Sequence, residues 1–188
     1  MAHRSFATSR PRTDVPLGGS TCTEGGTGRH GAADSLPPLL AAAGVRASDE
    51  LALPMGGGKT SPISAVDVAR AVAAILDDPA PHIGQIYDLT GPESADLDHY
   101  ARVFSEALGR PIRYRDVPLP AWREGLRQAK FPEHLVSHLT AMAELTRQGR
   151  YDRMTNTMCK LTGEAPTNMR DFVKLHAAEF KQRGPAHP

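Results

Sequence analysis

The side chains that could do chemistry in this chain are sparse, and their spacing limits each of them. A tyrosine with a lysine four residues on can activate a carbonyl, because the two share one helix face. All four tyrosines lack that partner: Tyr87 is followed at this spacing by Gly91, Tyr100 by Phe104, Tyr114 by Pro118 and Tyr151 by Thr155. Ser105 and Ser137 have no glycine elbow around them, which a nucleophile on a strand-to-helix turn requires. His134 and His138 lie four apart on a predicted helix, but a metal needs at least a third ligand. Glu133 precedes the first histidine, whereas a metalloprotease helix carries its glutamate after it. They read as surface histidines. Cys22 and Cys159 are the only cysteines, too few for a disulfide framework, and Cys159 reads as an inert thiol on the apolar side of a short helix. No catalytic constellation and no metal site is expected.

Two glycine-rich stretches could cradle a phosphate. Gly25, Gly28 and Gly31 fit a Gly-x-x-Gly-x-x-Gly pattern and are the candidate cofactor-binding residues. A dinucleotide turn needs a buried strand before it and a helix after it, so that the helix N-terminus meets the pyrophosphate. Ser20-Thr21-Cys22-Thr23-Glu24 is no hydrophobic strand, and two prolines follow soon after, so a flexible glycine-rich tail is the favoured reading. Gly58-Lys59-Thr60 looks like the end of a P-loop. That loop needs a glycine where Leu53 stands, and Pro62 sits where its helix should already run. The expectation is a tight turn with an exposed lysine, a loop that faces a substrate through Gly58, Lys59 and Thr60.

The elements around that loop carry clear signals. Leu51-Ala52-Leu53 is a short strand before it. After it, Ser64 is an N-cap and Asp67 stands at N3, which resembles a capping box. Val68, Val72, Ile75 and Leu76 recur at helical spacing among alanines, as expected of a helix packed closely against a sheet. Ile86, Tyr87 and Leu89 predict a strand closed by Gly91-Pro92. Leu97, Tyr100, Ala101, Phe104 and Leu108 predict a helix stopped by Gly109, and Ile112 to Val117 alternates as a strand with one solvated face. Helices follow: Trp122, Leu126 and Ala129 in one, Pro132 to about Gly149 in the next, then Met154 to Leu161, then Met169 to Phe180. Leu36 to Gly44 is expected as a short helix at the start. This order predicts α/β architecture with a largely parallel sheet and a helical cap.

Residues 1–35 differ. They are rich in Gly, Ser, Thr, Arg and Pro with isolated apolar residues, and such a segment cannot offset its ordering entropy by burial. The expected division is therefore a disordered segment over 1–35 and a folded domain over 36–188. With 188 residues, 40% hydrophobic and 23% charged, the chain is long enough for one domain with a core. A net charge of +1 gives no electrostatic case for nucleic acid or an anionic membrane. No apolar run is long enough to span a bilayer, and the N-terminus has no apolar core of a secretory signal. A reducing cytoplasm is the expected compartment.

Three stretches in this order resemble the C-terminal half of NmrA-like proteins, atypical short-chain dehydrogenase/reductase relatives that bind NAD(P). They are Lys59 to Ala69, Gly84 to Glu93, and Leu108-Gly109-Arg110-Pro111-Ile112; Gly149-Arg150-Tyr151, Leu161-Thr162-Gly163 and Phe172 also fit. The likeness covers about Leu36 to Phe180. It implies an incomplete NAD(P)-binding Rossmann-like fold with a helical cap on the substrate side. It also implies an NAD(P) cofactor, a small-molecule substrate, and roles from quinone or azo reduction to redox sensing. In that family the N-terminal half supplies the cofactor strands and glycine loop, and residues 1–35 do not resemble it. The expectation is a truncated or mispredicted gene product, a substrate-side half not competent to bind cofactor alone. The alternative is a non-catalytic redox sensor or protein-binding module. Parallel strands without neighbours are expected to self-associate through their unpaired edges.

Overall fold

A computed structural model describes residues 36–181. Gly25, Gly28, Gly31 and the proposed 1–35 segment lie outside the described residues.

The elements run α1 (Leu36–Ser48), β1 (Glu50–Leu53), α2 (Ala65–Asp77), a 3₁₀ turn (Ala80–His82), α3 (Leu97–Leu108) and β2 (Arg113–Asp116). Five helices follow: α4 (Leu119–Gln128), α5 (Glu133–Arg147), α6 (Thr157–Thr162), α7 (Met169–Leu175) and α8 (Ala177–Phe180). β1 and β2 pair in parallel, with Glu50 opposite Arg113 and Leu53 opposite Asp116. Parallel pairing needs a long crossover, and α2 with α3 supplies it. α1 runs on past Gly44, where the sequence predicts its end. Ser48 Oγ donates to the Gly44 carbonyl, and a Cβ at Gly44 would stand 2.6 Å from the Glu50 carbonyl oxygen. The glycine thus serves close approach of helix to strand, not a stop.

The main core lies between α1, the sheet, α3, α7 and α8. Leu51 and Leu53 alternate inward from β1 and meet Val45, Tyr100, Phe104, Val173 and Phe180. Phe104 and Phe180 meet edge to face with centroids 5.1 Å apart, a favoured aromatic geometry. α3 has the apolar stripe the sequence predicts and stops at Gly109, whose φ of 67° provides the left-handed cap. Arg110 then clips the ends of this core together, donating to the Phe180 carbonyl and pairing with Asp49. A second cluster joins α2 to α6 through Ile63, Ala71 and Met158. A third joins α4 to α5 through Leu126, Val136 and Leu139.

Four expectations need correction. The strand predicted around Ile86 does not form: residues 85–90 carry no regular secondary structure, and no described strand pairs with them. Local β-propensity is not enough without a ladder partner. Val72 and Leu76, predicted to pack on a sheet, are exposed, and α2 buries Asp67 and Ala71 instead. The predicted last helix is two, broken at His176. Cys159, half-buried on α6, is disulfide-bonded and so is not a thiol.

Candidate functional site

Both strands point their carboxyl ends the same way, and the chain from Pro54 to Ser64 crosses that edge. Ligands of parallel α/β folds bind outside the carboxyl ends of strands, so this crossing is the candidate site. Its first turn is fixed from below. The Gly56 N–H donates to Asp116 Oδ1 at 3.0 Å, with Gly56 in the left-handed region at φ 55°. Arg147, at the end of α5, donates through Nη1 to both Asp116 oxygens at 2.8 and 3.0 Å and to the Pro54 carbonyl at 3.2 Å. The Tyr114 hydroxyl accepts from the Met55 N–H at 3.2 Å and lies 3.1 Å from both the Leu53 carbonyl and Asp116 Oδ1. One carboxylate thus organises a turn, a helix end and a tyrosine.

The electrostatics follow from these contacts. What burial Asp116 has opposes its ionisation, but the Arg147 guanidinium, the Gly56 N–H and the Tyr114 hydroxyl outweigh it and hold the carboxyl below the usual carboxylate range. Burial, then the Asp116 charge, pushes the Tyr114 hydroxyl well above the ordinary tyrosine value. Tyr100 is raised likewise, by burial and then by Glu93. Its hydroxyl donates to the Thr60 carbonyl at 2.9 Å.

Gly58 and Thr60 are buried and Lys59 is exposed. The Gly58 N–H closes the turn onto the Met55 carbonyl at 3.1 Å. A Cβ at Gly58 would lie 2.1 Å from the Thr146 carbonyl oxygen, so this position admits only glycine. Thr60 exchanges backbone hydrogen bonds with Ala95 at 3.0 and 3.1 Å. Ser61 accepts from the Gly91 N–H at 3.1 Å and donates through Oγ to the Arg153 carbonyl. Lys59 is therefore an exposed cation on a backbone held on both sides.

Ser64 caps α2, accepting from the Asp67 N–H at 3.0 Å. Asp67 does not return the bond of a capping box. Its carboxylate is fully buried and turned across the molecule, accepting from the Thr167 N–H at 2.9 Å and the Thr167 hydroxyl at 3.2 Å and pairing with Arg70. Arg70 also pairs with Glu164. The capping pattern names the right residues, but Asp67 does something other than cap: it clasps the α6–α7 connection.

These residues do not fit the pyrophosphate of a dinucleotide. Gly58 is spent on the Thr146 backbone and Gly56 faces Arg147. The N-terminus of α2 is occupied by Ser64 and carries a buried carboxylate in its first turn, where an anionic ligand would need open N–H groups. His134 and His138 are both exposed on α5. Sequence reasoning missed Asp116 and Arg147, which stand 31 residues apart. The available signal was an acidic residue ending a strand beside a glycine turn.

No family model matches the chain. Over 142 residues it is 31% identical to an NAD(P)H azoreductase of Xenophilus azovorans, a match that spans 76% of this chain and 49% of that protein. A nucleoside-diphosphate-sugar epimerase from Staphylococcus aureus superposes with a TM-score of 0.64 at 28% identity, over 77% of this chain and 49% of the other. An NADPH-dependent quinone oxidoreductase from Escherichia coli superposes with a TM-score of 0.69 at 21% identity, over 79% and 54%, a likeness of fold. The chain spans about half the length of the relatives it matches. Among the described residues, no helix is long and apolar enough to cross a membrane. The paired parallel strands, the helices around them and these relatives agree: residues 36–181 present part of a fold like that of NAD(P)-binding Rossmann-like reductases, with a helical cap, and over about three quarters of its length the chain resembles one half of the NmrA-like atypical short-chain dehydrogenase/reductases.

Proposed function

We propose that residues 36–181 are the substrate-side half of an NAD(P)H-dependent oxidoreductase of the quinone- or azo-reducing type, with the cofactor seat outside these residues. The observation that carries the reading is the Gly56–Thr60 turn. It lies at the carboxyl ends of both strands, is fixed from below by Asp116 and Arg147, and directs an exposed Lys59 outward. A cation on a rigid backbone can hold an electron-rich oxygen or an anionic substituent of an aromatic acceptor, and a rigid support keeps the geometry productive. The azoreductase relative supports the acceptor class.

The test uses the 188-residue chain and menadione, followed by amide chemical shifts. Saturable shifts confined to residues 56–60 and their supports, weakened at least fivefold by Lys59→Ala, are expected. Shifts scattered over the surface, or unaltered in Lys59→Ala, would sink the reading.

A second reading is a redox sensor that binds without turning over. The hydroxyls of Tyr100 and Tyr114 favour it, since both are committed to backbone carbonyls or Asp116 and neither is available to give a proton to substrate. Quinone turnover by the assembled protein separates the two readings.

A further inference from the structure

The chain leaving α5 runs beside the turn that carries Lys59. Gly149, at φ 72°, turns it out of the helix, its N–H donating to the Thr146 carbonyl at 2.9 Å. That same carbonyl lies against Gly58. Further on, the Arg153 carbonyl accepts from Ser61 Oγ. Asp152 Oδ1 accepts from Ser94 Oγ at 2.8 Å, one residue before Ala95, which pairs with Thr60. Thr155 closes the segment, its N–H donating to Thr90 Oγ1 at 2.9 Å and its hydroxyl to the Asp88 carbonyl at 2.8 Å. Between contacts to Gly58 and to Ser61, the loop over residues 147–153 must therefore pass Lys59. It carries a half-buried aromatic ring, Tyr151, with the Arg153 guanidinium carbon 5.7 Å from the ring centroid, within reach of a cation–π attraction. Met154, next along, is 45% exposed.

We infer that Tyr151 is a specificity-determining residue of the Lys59 site, a platform on which the fused-ring plane of the acceptor stacks while Lys59 holds its oxygen. The inference rests on the reductase reading above and adds to it a choice of acceptor by ring area. Three properties of the loop suit the role. Its backbone is tied to both strands of the chain that flank Lys59, so the ring stands at a fixed place relative to that cation. Arg153 on the ring restrains its plane, and a tyrosine has few torsions to freeze when a ligand stacks on it. An electron-poor quinone ring meets an electron-rich phenol ring in the offset arrangement that aromatic pairs favour, with the polarisable Met154 sulfur beside it. A two-ring acceptor overlaps such a platform more fully than a one-ring acceptor does, so the platform discriminates between them.

The test titrates the 188-residue chain with menadione, which has two fused rings, and with duroquinone, which has one, and follows amide and tyrosine ring shifts. Menadione should bind at least fivefold more tightly than duroquinone, with the Tyr151 ring protons shifted upfield. Tyr151→Leu should weaken menadione at least fivefold and duroquinone less than twofold, so that the preference collapses. Tyr151→Phe, which keeps the ring, should restore it. A loss that is equal for both quinones in Tyr151→Leu would mean that the residue only supports the loop, and would overturn the inference. So would a preference that survives in Tyr151→Leu, or one that Tyr151→Phe fails to restore. Menadione binding that depends on Lys59 but not on Tyr151 overturns the platform and leaves the reductase reading standing. Binding that depends on Tyr151 but not on Lys59 upholds the platform and ends that reading.

Discussion

Phe104 and Leu76 are apolar residues on helices of nearly equal length, yet one is 1% exposed and the other 69%. Phe104 sits where α1, the sheet, α3, α7 and α8 close on one another. Leu76 sits where α2 has a partner on one side only, the Met158 cluster of α6. The closed side accounts for its own apolar surface; the open side does not. Helical periodicity alone cannot separate the two, because a stripe records which residues can be buried and not what buries them.

The contrast can be broken by mutation. Phe104→Ala should cost about 3–5 kcal/mol, the usual range for a buried aromatic, measured by urea unfolding of the chain alone. Leu76→Ala should stay within about 0.5 kcal/mol, as an exposed position does. Equal costs would mean that the open side is covered after all. The glycine turn offers a closer pair. Gly58→Ala drives a Cβ into the Thr146 carbonyl and should cost about 1–3 kcal/mol, the range for overpacking. Gly57→Ala meets nothing within 4 Å and should leave the unfolding midpoint in place.

Asp67→Ala tests the clasp between the two sides. It leaves the Thr167 N–H without its acceptor and Arg70 without one of its partners, a loss of about 1–3 kcal/mol. Amide exchange should speed up at residues 164–167 before it does in α3. On the open side the deciding experiment is dilution. The chain alone should associate weakly and without a defined stoichiometry through its uncovered face, as exposed strand edges and apolar patches do. Leu76→Glu should shift sedimentation toward the monomer. A concentration-independent monomer in the parent would count against an open edge.

The smallest effect is acid sensitivity at the candidate site. Asp116 is held below its ordinary range in the folded protein, so its contribution is present above that range and is lost as pH falls through the lowered value. Exposure of the pair limits the size. Acid unfolding of Asp116→Asn should lack this component, and a profile identical to the parent would show that the Asp116–Arg147 contact does not hold the turn.

What was legible in the sequence follows the same divide. The helix over Leu97 to Leu108, its Gly109 stop, the Ser64 cap and both short strands are local features, and their residues announce them. What the chain could not announce depends on distant partners. Asp67 meets Thr167 across 100 residues, which no capping pattern encodes. Arg147 reaches Asp116 only because α5 ends over the sheet edge. The segment around Ile86 has the composition of a strand, but pairing requires a neighbour, and none lies within residues 36–181. The loop residues Gly58, Lys59 and Thr60 were recognisable as a turn, whereas the reason for glycine at 58, the approach of the Thr146 backbone, was not.

If residues 36–181 supply the substrate side and the cofactor seat lies elsewhere, as proposed, the 188-residue chain alone should not hold NADPH. Titration of that chain with NADPH, followed by cofactor fluorescence, asks this directly. No saturable change is expected; a saturable enhancement at one cofactor per chain would contradict the proposal.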